Sequence, residues 1–286
     1  MIVDTHVHIV SEDRQKYPQV SDGAHGAAAP TVRELGQVEW PATTIESLIA
    51  TMDACAIDRA LLVQTYFTYH YDNSYMIDAR ARYPDRFQNV CVIDQLSPES
   101  PDLLSKLAES GDVHGLRMMS ARGPGSLRDP RSFPLWARAA ALNIPVCLGA
   151  KIEEIDDVRV PLDRFPEVPV ALEHVWGLDM GDPPYERHRP LFALAAFGNV
   201  SLKTAPNNSH AARACKGGPR AFFGALVEAF GPERIMWGSN YPAHWNRYGG
   251  VQERLDLMRE DFSFLNAAER DLVFGGNALR FWPGLA

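Results

Sequence analysis

Two histidines stand two residues apart at the end of the first apolar run of the chain. The run opens at the N-terminus, and Val7 separates His6 from His8. Side chains two apart in a β-strand point to the same face, so both imidazoles are expected to project together from the C-terminal end of this strand. Two converging imidazoles form half of a metal site or of a substrate site.

Polar or ionisable residues also follow most of the later apolar runs. In chain order they include Tyr66, Asp94, Arg117, His174, Lys203 and Asn240. Each of them alone has an ordinary explanation; a single arginine, for example, most often pairs with a nearby carboxylate. The repeated placement of such groups at the ends of apolar runs is what indicates a shared site.

The elements that must position these residues alternate regularly along the chain. Short apolar runs predict strands over residues 1–9, 60–64, 87–93, 113–118, 144–149, 168–174, 200–203 and 235–239. Helical spacing predicts helices over residues 44–56, 73–83, 97–110, 132–142, 152–164, 187–197, 219–230, 251–260 and 267–281. Thr44 and Ser97 are predicted N-caps, and Gly231 is predicted to end a helix.

This alternation predicts an α/β fold, a (β/α)₈ TIM barrel built as a single domain over residues 1–286. The apolar runs lack strict alternation, which is typical of parallel strands covered on both faces. A doubly wound open sheet is the structural alternative. Residues 10–44 form a long loop after the first strand, and its length indicates a functional or mobile segment. In a barrel the C-terminal strand ends share one rim, where the polar residues would meet.

Composition narrows the classes of function. The 286 residues are 46% hydrophobic and 22% charged, with a net charge of -8, which favours neither nucleic acid nor an acidic membrane surface. No apolar run approaches a membrane span, and no signal peptide precedes the first strand. The four cysteines form no CxxC pair, which indicates reduced thiols. We therefore expect a cytoplasmic protein with a small-molecule partner; an oligomer is left open.

The ordered set of motifs resembles the amidohydrolase superfamily, specifically its small single-domain barrels that begin directly with the first strand. The motifs that carry the resemblance are DTHVH at 4–8, EHVWG at 173–177, NVSLK at 199–203, ERIMWGSNYP at 233–242 and GNALRF at 276–281. Members of this branch include lactonases acting on sugar acids and pyrone dicarboxylates, with related decarboxylases and hydratases. The resemblance implies a hydrolase that attacks a lactone or ester of a small carboxylic acid with water.

The chain departs from the family pattern at two places. The pattern has an aspartate after the eighth strand, where this chain has Asn240. Metal-dependent members offer a histidine at the end of the fifth strand, where this chain has residues 148–150, Leu-Gly-Ala. Asn240 is therefore either a natural asparagine or a catalytic Asp-to-Asn variant. A non-catalytic, ligand-binding relative is a further alternative.

A bound metal and a metal-free site both remain open at this stage. His6, His8 and His174 could supply three imidazoles to one divalent metal such as zinc. Asn240 would add only a neutral amide oxygen, a poorer ligand than a carboxylate. The resemblance also includes pyrone-dicarboxylate lactonases that use no metal, so a metal-free site is at least as well supported.

The predicted mechanism places a water between Asn240 and His174, from where it would attack the substrate carbonyl. The amide of Asn240 has no proton affinity near neutral pH, so His174 or His244 would act as the base. His6 and His8, with or without a metal, would stabilise the developing oxyanion. The predicted substrate-binding residues are Arg117, Lys203, Tyr66 and His244. The arginine fork suits a substrate carboxylate. A metal-dependent decarboxylase or hydratase on the same fold is the alternative.

Overall fold

A parallel eight-stranded sheet forms the centre of the molecule. The structure is a computed structural model and describes residues 1–20, 43–120, 127–175, 181–242 and 248–286. The strands follow chain order around the sheet, and each pairs in parallel with the next. They are β1 (Val3–Val7), β2 (Arg59–Val63), β3 (Phe87–Val92), β4 (Gly115–Met119), β5 (Val146–Gly149), β6 (Val170–Leu172), β7 (Val200–Thr204) and β8 (Ile235–Trp237).

Helices connect the strands and cover the outside of the sheet. Those of the described residues are α1 (Ile45–Ala54), α2 (Tyr66–Tyr69), α3 (Ser74–Arg82), α4 (Ser100–Glu109), α5 (Phe133–Ala141), α6 (Ile155–Arg164), α7 (Arg189–Ala193), α8 (Pro206–Arg213), α9 (Gly218–Phe230), α10 (Val251–Asp261), α11 (Ala267–Asp271) and α12 (Asn277–Phe281). Because parallel neighbours need a crossover, each strand is followed by at least one helix or long connection.

The sheet closes on itself between its first and last strands. Val7 forms a parallel bridge with Tyr241, and the backbone N–H of His8 donates to the Tyr241 carbonyl at 2.7 Å. The predicted (β/α)₈ barrel is therefore confirmed, and the doubly wound open sheet is wrong. Closure brings the C-terminal ends of all the strands to one rim.

Two apolar layers lie on the two sides of the strands. The outer layer packs strand residues such as Leu62 and Leu116 against the helices. The inner layer contains Val3, Leu61, Val63, Val90, Cys147, Ala171 and Met236. Trp282, just after α12, and Leu285 are buried in this inner layer and close the bottom of the barrel. The apolar C-terminal segment therefore covers the end opposite to the rim.

A β-bulge interrupts β1 between Asp4 and Val7, where the pairing with β2 shifts register. Val3 belongs to the inner apolar layer, whereas Val7 belongs to the outer one. An uninterrupted strand would point both valines to the same side, because they are four residues apart. The bulge reverses this parity, so that His6 and His8 face the barrel interior.

The predicted helix signals had mixed outcomes. The Thr44 hydroxyl accepts from the Ser47 N–H at 3.3 Å, and Gly231 ends α9 with φ = 78°, so both signals are confirmed. Ser97 as an N-cap is wrong, because α4 begins at Ser100 and the Ser97 hydroxyl accepts from the Glu99 N–H at 3.3 Å. The chain is helical over the whole of the predicted 267–281, with a π-helical stretch at Leu272–Gly276 between two α-helical ones.

The segment predicted as a loop over 10–44 begins and ends beside the rim. Val10 and Thr43 form an antiparallel bridge, which brings the two ends of the segment together. Its residues 21–42 lie outside the described part of the chain.

No helix within the described ranges combines the length and the hydropathy of a membrane-spanning segment.

Candidate active site

Three imidazoles meet at the C-terminal rim of the barrel. The Nε2 atoms of His6 and His8 lie 3.1 Å apart. The ring of His174, just after β6, packs edge-on against the ring of His6 with 4.2 Å between centroids. His6 and His8 are buried, whereas His174 is half-buried. Two distant parts of the chain therefore bring these side chains together, as the strand-end positions predicted.

The ring of His8 is held in one tautomer. Its Nδ1 lies 2.7 Å from the Val63 carbonyl oxygen at the end of β2. A carbonyl only accepts, so Nδ1 must carry the proton, and in a neutral ring Nε2 then carries a lone pair. His8 therefore presents an acceptor to His6.

Glu173, between β6 and His174, links His6 to Arg117. Nε and Nη2 of Arg117 each lie 2.8 Å from Oε2 of Glu173, and Nη1 donates to the Gln64 carbonyl at 3.2 Å. The other carboxylate oxygen, Oε1, lies 3.5 Å from Nδ1 of His6. Oε1 of Glu173 and Nδ1 of His6 are both buried, and neither has a hydrogen bond within the described residues. The guanidinium thus already has a carboxylate partner inside the protein.

Burial keeps the imidazoles of His6 and His8 neutral. It lowers the pKa of His8 from 6.5 to about 3, and the nearby Arg117 guanidinium adds to this effect. The pKa of His6 is also well below its ordinary value, first because of burial and then because His174, His8, Lys203 and Arg117 lie close. A positive charge on either ring would be costly without solvent.

The backbone at His174 turns sharply. His174 has φ = 57°, in the left-handed region, and its carbonyl accepts from the side-chain amide of Asn208 on α8. The Asn208 Oδ1 in turn accepts from the Ala205 N–H at 2.9 Å. The asparagine amide thereby ties the turn after β6 to the helix after β7. The sequence interpretation missed both α8 and this contact.

The segment after β8 is anchored beside His6. Oδ1 of Asp4 accepts from the backbone N–H groups of His6 at 3.1 Å and of Ser239 at 2.8 Å. Burial raises the pKa of Asp4 to about 6, although the bonds from Ser239 and His6 and the nearby Arg254 oppose the rise. The buried Arg254, on α10, donates to the Ser239 carbonyl at 3.0 Å and to the Asn240 carbonyl at 3.3 Å.

Asn240 is half-buried and has φ = 55°, a left-handed conformation that asparagine tolerates better than most residues. Its neighbours tie it to β1, since Ser239 bonds Asp4 and Tyr241 bonds the His8 backbone. Residue 240 therefore stands beside the His6–His8 pair along the rim.

Lys203 lies deeper than its predicted place at the rim. Its side chain is 0% exposed, and Nζ donates to the Thr5 carbonyl at 3.0 Å and lies 3.2 Å from Sγ of Cys147. The ammonium also sits 5.0 Å from the centre of the Trp282 ring. These partners all belong to the barrel interior, so Lys203 faces the inner layer beneath the imidazoles.

A small cavity opens between the ends of β2, β3 and β4. It is lined by Tyr66, Tyr71, Val92, Ile93, Gln95, Arg117 and Met119. Two of the predicted substrate-binding residues, Tyr66 and Arg117, therefore line the same cavity. The predicted residue His244 lies outside the described residues.

A zinc site of three imidazoles is not completed by the described residues. The Nε2 atoms of His6 and His8 could supply two nitrogen ligands. However, within residues 1–20, 43–120, 127–175, 181–242 and 248–286 no group of three or more His, Cys, Asp or Glu side chains is arranged to hold a metal ion. A catalytic zinc site ordinarily uses three protein ligands. We therefore derive no step through a metal.

Glu173, Asp4 and Arg254 were the main residues of the site that sequence reasoning left without a role. Glu173 directly follows an apolar run and precedes His174, so its position was the available signal. Asp4 and Arg254 act through contacts with Ser239, 235 and 15 residues away along the chain. No local pattern marks such contacts.

Known proteins resemble the chain over nearly its whole length. It is 23% identical over 298 residues to an L-fucono-1,5-lactonase of Burkholderia ambifaria, covering 98% of this chain and 94% of that protein. A probable 2-pyrone-4,6-dicarboxylic acid hydrolase from Acinetobacter baumannii, solved with citric acid bound, matches with a TM-score of 0.75 at 18% identity and covers 99% of each chain.

A further structure shares the fold with a metal present. An amidohydrolase from Burkholderia multivorans, solved with bound zinc, matches with a TM-score of 0.74 at 19% identity over 99% of each chain. The sequence profile of the amidohydrolase family matches residues 3–284. Family motifs thus extend from β1 to the end of the chain, and this protein belongs to the amidohydrolase family.

Proposed function

We propose that this protein hydrolyses a lactone, or a related ester, of a small carboxylic acid at the barrel rim. The observation that carries the proposal is the convergence of His6, His8 and His174 beside the cavity that Arg117 lines. The named lactonase and the probable pyrone-dicarboxylate hydrolase among the relatives support the same reaction class.

The general base is His174. It is the half-buried imidazole of the three, and so water and substrate can reach it. A neutral imidazole near the rim can take a proton from an attacking water and return it to the leaving alkoxide. Asn240 orients the water through its amide and takes no proton.

The imidazoles of His6 and His8 position the reacting oxygen. His8 carries its proton on Nδ1, so its Nε2 accepts a hydrogen bond and cannot donate one to an oxyanion in the neutral state. This tautomer argues against the oxyanion role predicted for His8 from the sequence. It favours a role in holding a water or a substrate hydroxyl.

Arg117 binds the acid group of the substrate through the donors that Glu173 leaves free. A guanidinium has five N–H donors, and three of them serve Glu173 and the Gln64 carbonyl. The remaining two belong to Nη1 and Nη2, on the residue that lines the cavity. Their planar spacing suits a carboxylate. Tyr66 supplies an aromatic wall beside it.

The test compares the protein with its Asn240→Asp and Asn240→Ala variants on a panel that includes L-fucono-1,5-lactone and 2-pyrone-4,6-dicarboxylate. Because an added carboxylate supplies a second base beside His174, we expect Asn240→Asp to raise kcat on at least one lactone by about 100-fold. Asn240→Ala should lower it. If neither the protein nor the Asp variant opens any lactone, the proposal is wrong.

A metal-dependent decarboxylase is the second candidate. The two Nε2 atoms of His6 and His8, 3.1 Å apart, favour it, because they could share one cation. Elemental analysis of the purified protein, with carbon dioxide release from aromatic acids measured before and after chelation, separates the two candidates. Metal-dependent carbon dioxide release without lactone opening would select the decarboxylase.

A further inference from the structure

Glu173 has a carboxylate with two unequal surroundings. Oε2 receives both short contacts from Arg117, whereas Oε1 faces Nδ1 of His6 at 3.5 Å. Glu173 and His6 are both 0% exposed, so water cannot take the place of either partner. Oε1 and Nδ1 are buried polar atoms that each lack a hydrogen bond and lie beside one another. Such atoms are costly unless they pair.

The proton arrangement of His6 is therefore decided between two neighbours. With the proton on Nε2, His6 would donate to His8, but the lone pair of its Nδ1 would then face the carboxylate oxygen. With the proton on Nδ1, His6 donates to Glu173 and gives up the 3.1 Å hydrogen bond to His8, so that both Nε2 lone pairs face the same point and can receive a donor from water or substrate there. A negative acceptor attracts an N–H far more strongly than a neutral imidazole does.

We propose that Glu173 is a positioning residue that keeps the proton of His6 on Nδ1, so that His6 and His8 present their Nε2 lone pairs together at the rim. Val63 plays the same part for His8 through its carbonyl. Arg117 neutralises and orients the carboxylate. The chain of contacts runs from Arg117 through Glu173 to His6, which explains why a buried carboxylate stands directly before His174.

The amide variant Glu173→Gln gives the sharpest test, because the two ends of an amide differ. Arg117 has only donors, so it will bind the amide oxygen. The amide NH₂ must then face Nδ1 of His6 and donate to it. The variant is thus expected to move the proton of His6 from Nδ1 to Nε2 rather than merely weaken one bond.

The tautomer can be read without substrate and without metal. Protein with isotope-labelled histidine is treated with a chelator, and the imidazole nitrogen shifts are recorded by NMR; a His6→Asn sample identifies the signals of His6. We expect Nδ1 of His6 to be protonated in the natural protein and in Glu173→Asp, and unprotonated in Glu173→Gln. An unprotonated Nδ1 in the natural protein overturns the proposal even if the Gln variant fails to fold. An unchanged tautomer in a folded Gln variant overturns it as well.

Activity gives a second readout, and this part alone rests on the proposed function. Loss of a partner that orients a site histidine costs on the order of 10- to 100-fold, so kcat on the best lactone should fall by that factor in Glu173→Gln, with KM changed less than about threefold. Glu173→Asp should recover part of the loss. A lactone panel without any turnover would defeat the proposed function while leaving the NMR result intact.

The matched control is Asp261→Asn. Asp261 on α10 is also a buried carboxylate, and it accepts from Arg213 at 2.7 and 3.0 Å, away from the imidazoles. The Asp261→Asn variant should lose stability as Glu173→Gln does, but the tautomer of His6 and kcat should stay unchanged. Equal losses of kcat in the two variants would reduce Glu173 to a structural residue and overturn the proposal.

Discussion

Individual side chains at the rim divide into those that face the cavity and those that hold the others in place. Arg117 has both properties, since it lines the cavity and binds Glu173. Lys203 belongs to the second group, because its ammonium contacts a carbonyl, a thiol and an indole ring inside the barrel. A buried ammonium with such partners supports the floor of the site.

Lys203→Arg tests this assignment at the scale of one residue. The larger guanidinium must fit a fully enclosed space, so we expect the free energy of unfolding to fall by about 1–3 kcal/mol. KM for the best lactone should stay unchanged. The measurement is urea unfolding together with Michaelis kinetics, and the exposed Lys106→Arg is the control. A stable variant with a raised KM would place Lys203 in contact with substrate.

At the scale of elements, β1 and β8 control the direction of the site histidines. The bulge in β1 changes which side its residues face, and the segment after β8 approaches β1 closely. Gly238, directly after β8, permits this approach. A Cβ atom there would lie 2.9 Å from Cβ of His6 and 3.1 Å from its backbone nitrogen.

Gly238→Ala should therefore move His6 without touching the cavity. A misplacement of the reacting groups approaching 1 Å costs on the order of 100-fold, so we expect kcat/KM to fall by at least about tenfold. Stability should fall by about 1–3 kcal/mol. Kinetics and thermal unfolding measure the two effects.

Gly224→Ala is the control for that substitution. Gly224 lies within α9, and a Cβ atom there meets nothing within 4 Å. Because alanine is the better helix former, this variant should gain about 0.5–1 kcal/mol with unchanged kinetics. If both alanine variants leave kcat/KM unchanged, the close approach of β8 to β1 does not govern the position of His6.

At the scale of the whole molecule, burial of the rim imidazoles makes folding sensitive to acid. In the folded protein the pKa of His8 is about 3 and that of His6 is well below its ordinary value, against 6.5 for an exposed histidine. Below pH 6.5 the unfolded chain therefore takes up protons that the folded protein excludes. His114, whose pKa burial lowers to about 4, acts in the same direction as His6 and His8, whereas Asp4, whose pKa is raised to about 6, acts in the opposite direction.

The free energy of unfolding should consequently fall by about 3 kcal/mol between pH 6.5 and pH 5. Urea unfolding at constant ionic strength measures the change. A His8→Gln variant should show a smaller fall, since it removes one of the buried imidazoles. Equal or greater stability at pH 5 would mean that His6 and His8 are protonated in the folded protein.

The spacing of apolar residues along the chain predicted much of the architecture. Apolar runs of four to nine residues, separated by helical segments, predicted the eight strands and the barrel, because burial of both faces of a parallel sheet demands such runs. The same logic placed His6, His8 and His174 at one rim, and the structure brings their rings together.

The amino-acid sequence alone determined the fold class and which side chains stand at the rim, because strand ends follow from local patterns. Tertiary contacts decided what each side chain faces. The bulge turns His6 inward, and Lys203 points below the rim. Glu173 accepts hydrogen bonds from the guanidinium of Arg117. These pairs join residues 56 to 198 positions apart. Only the closed barrel fixes such distances, and with them the proton positions on which the chemistry depends.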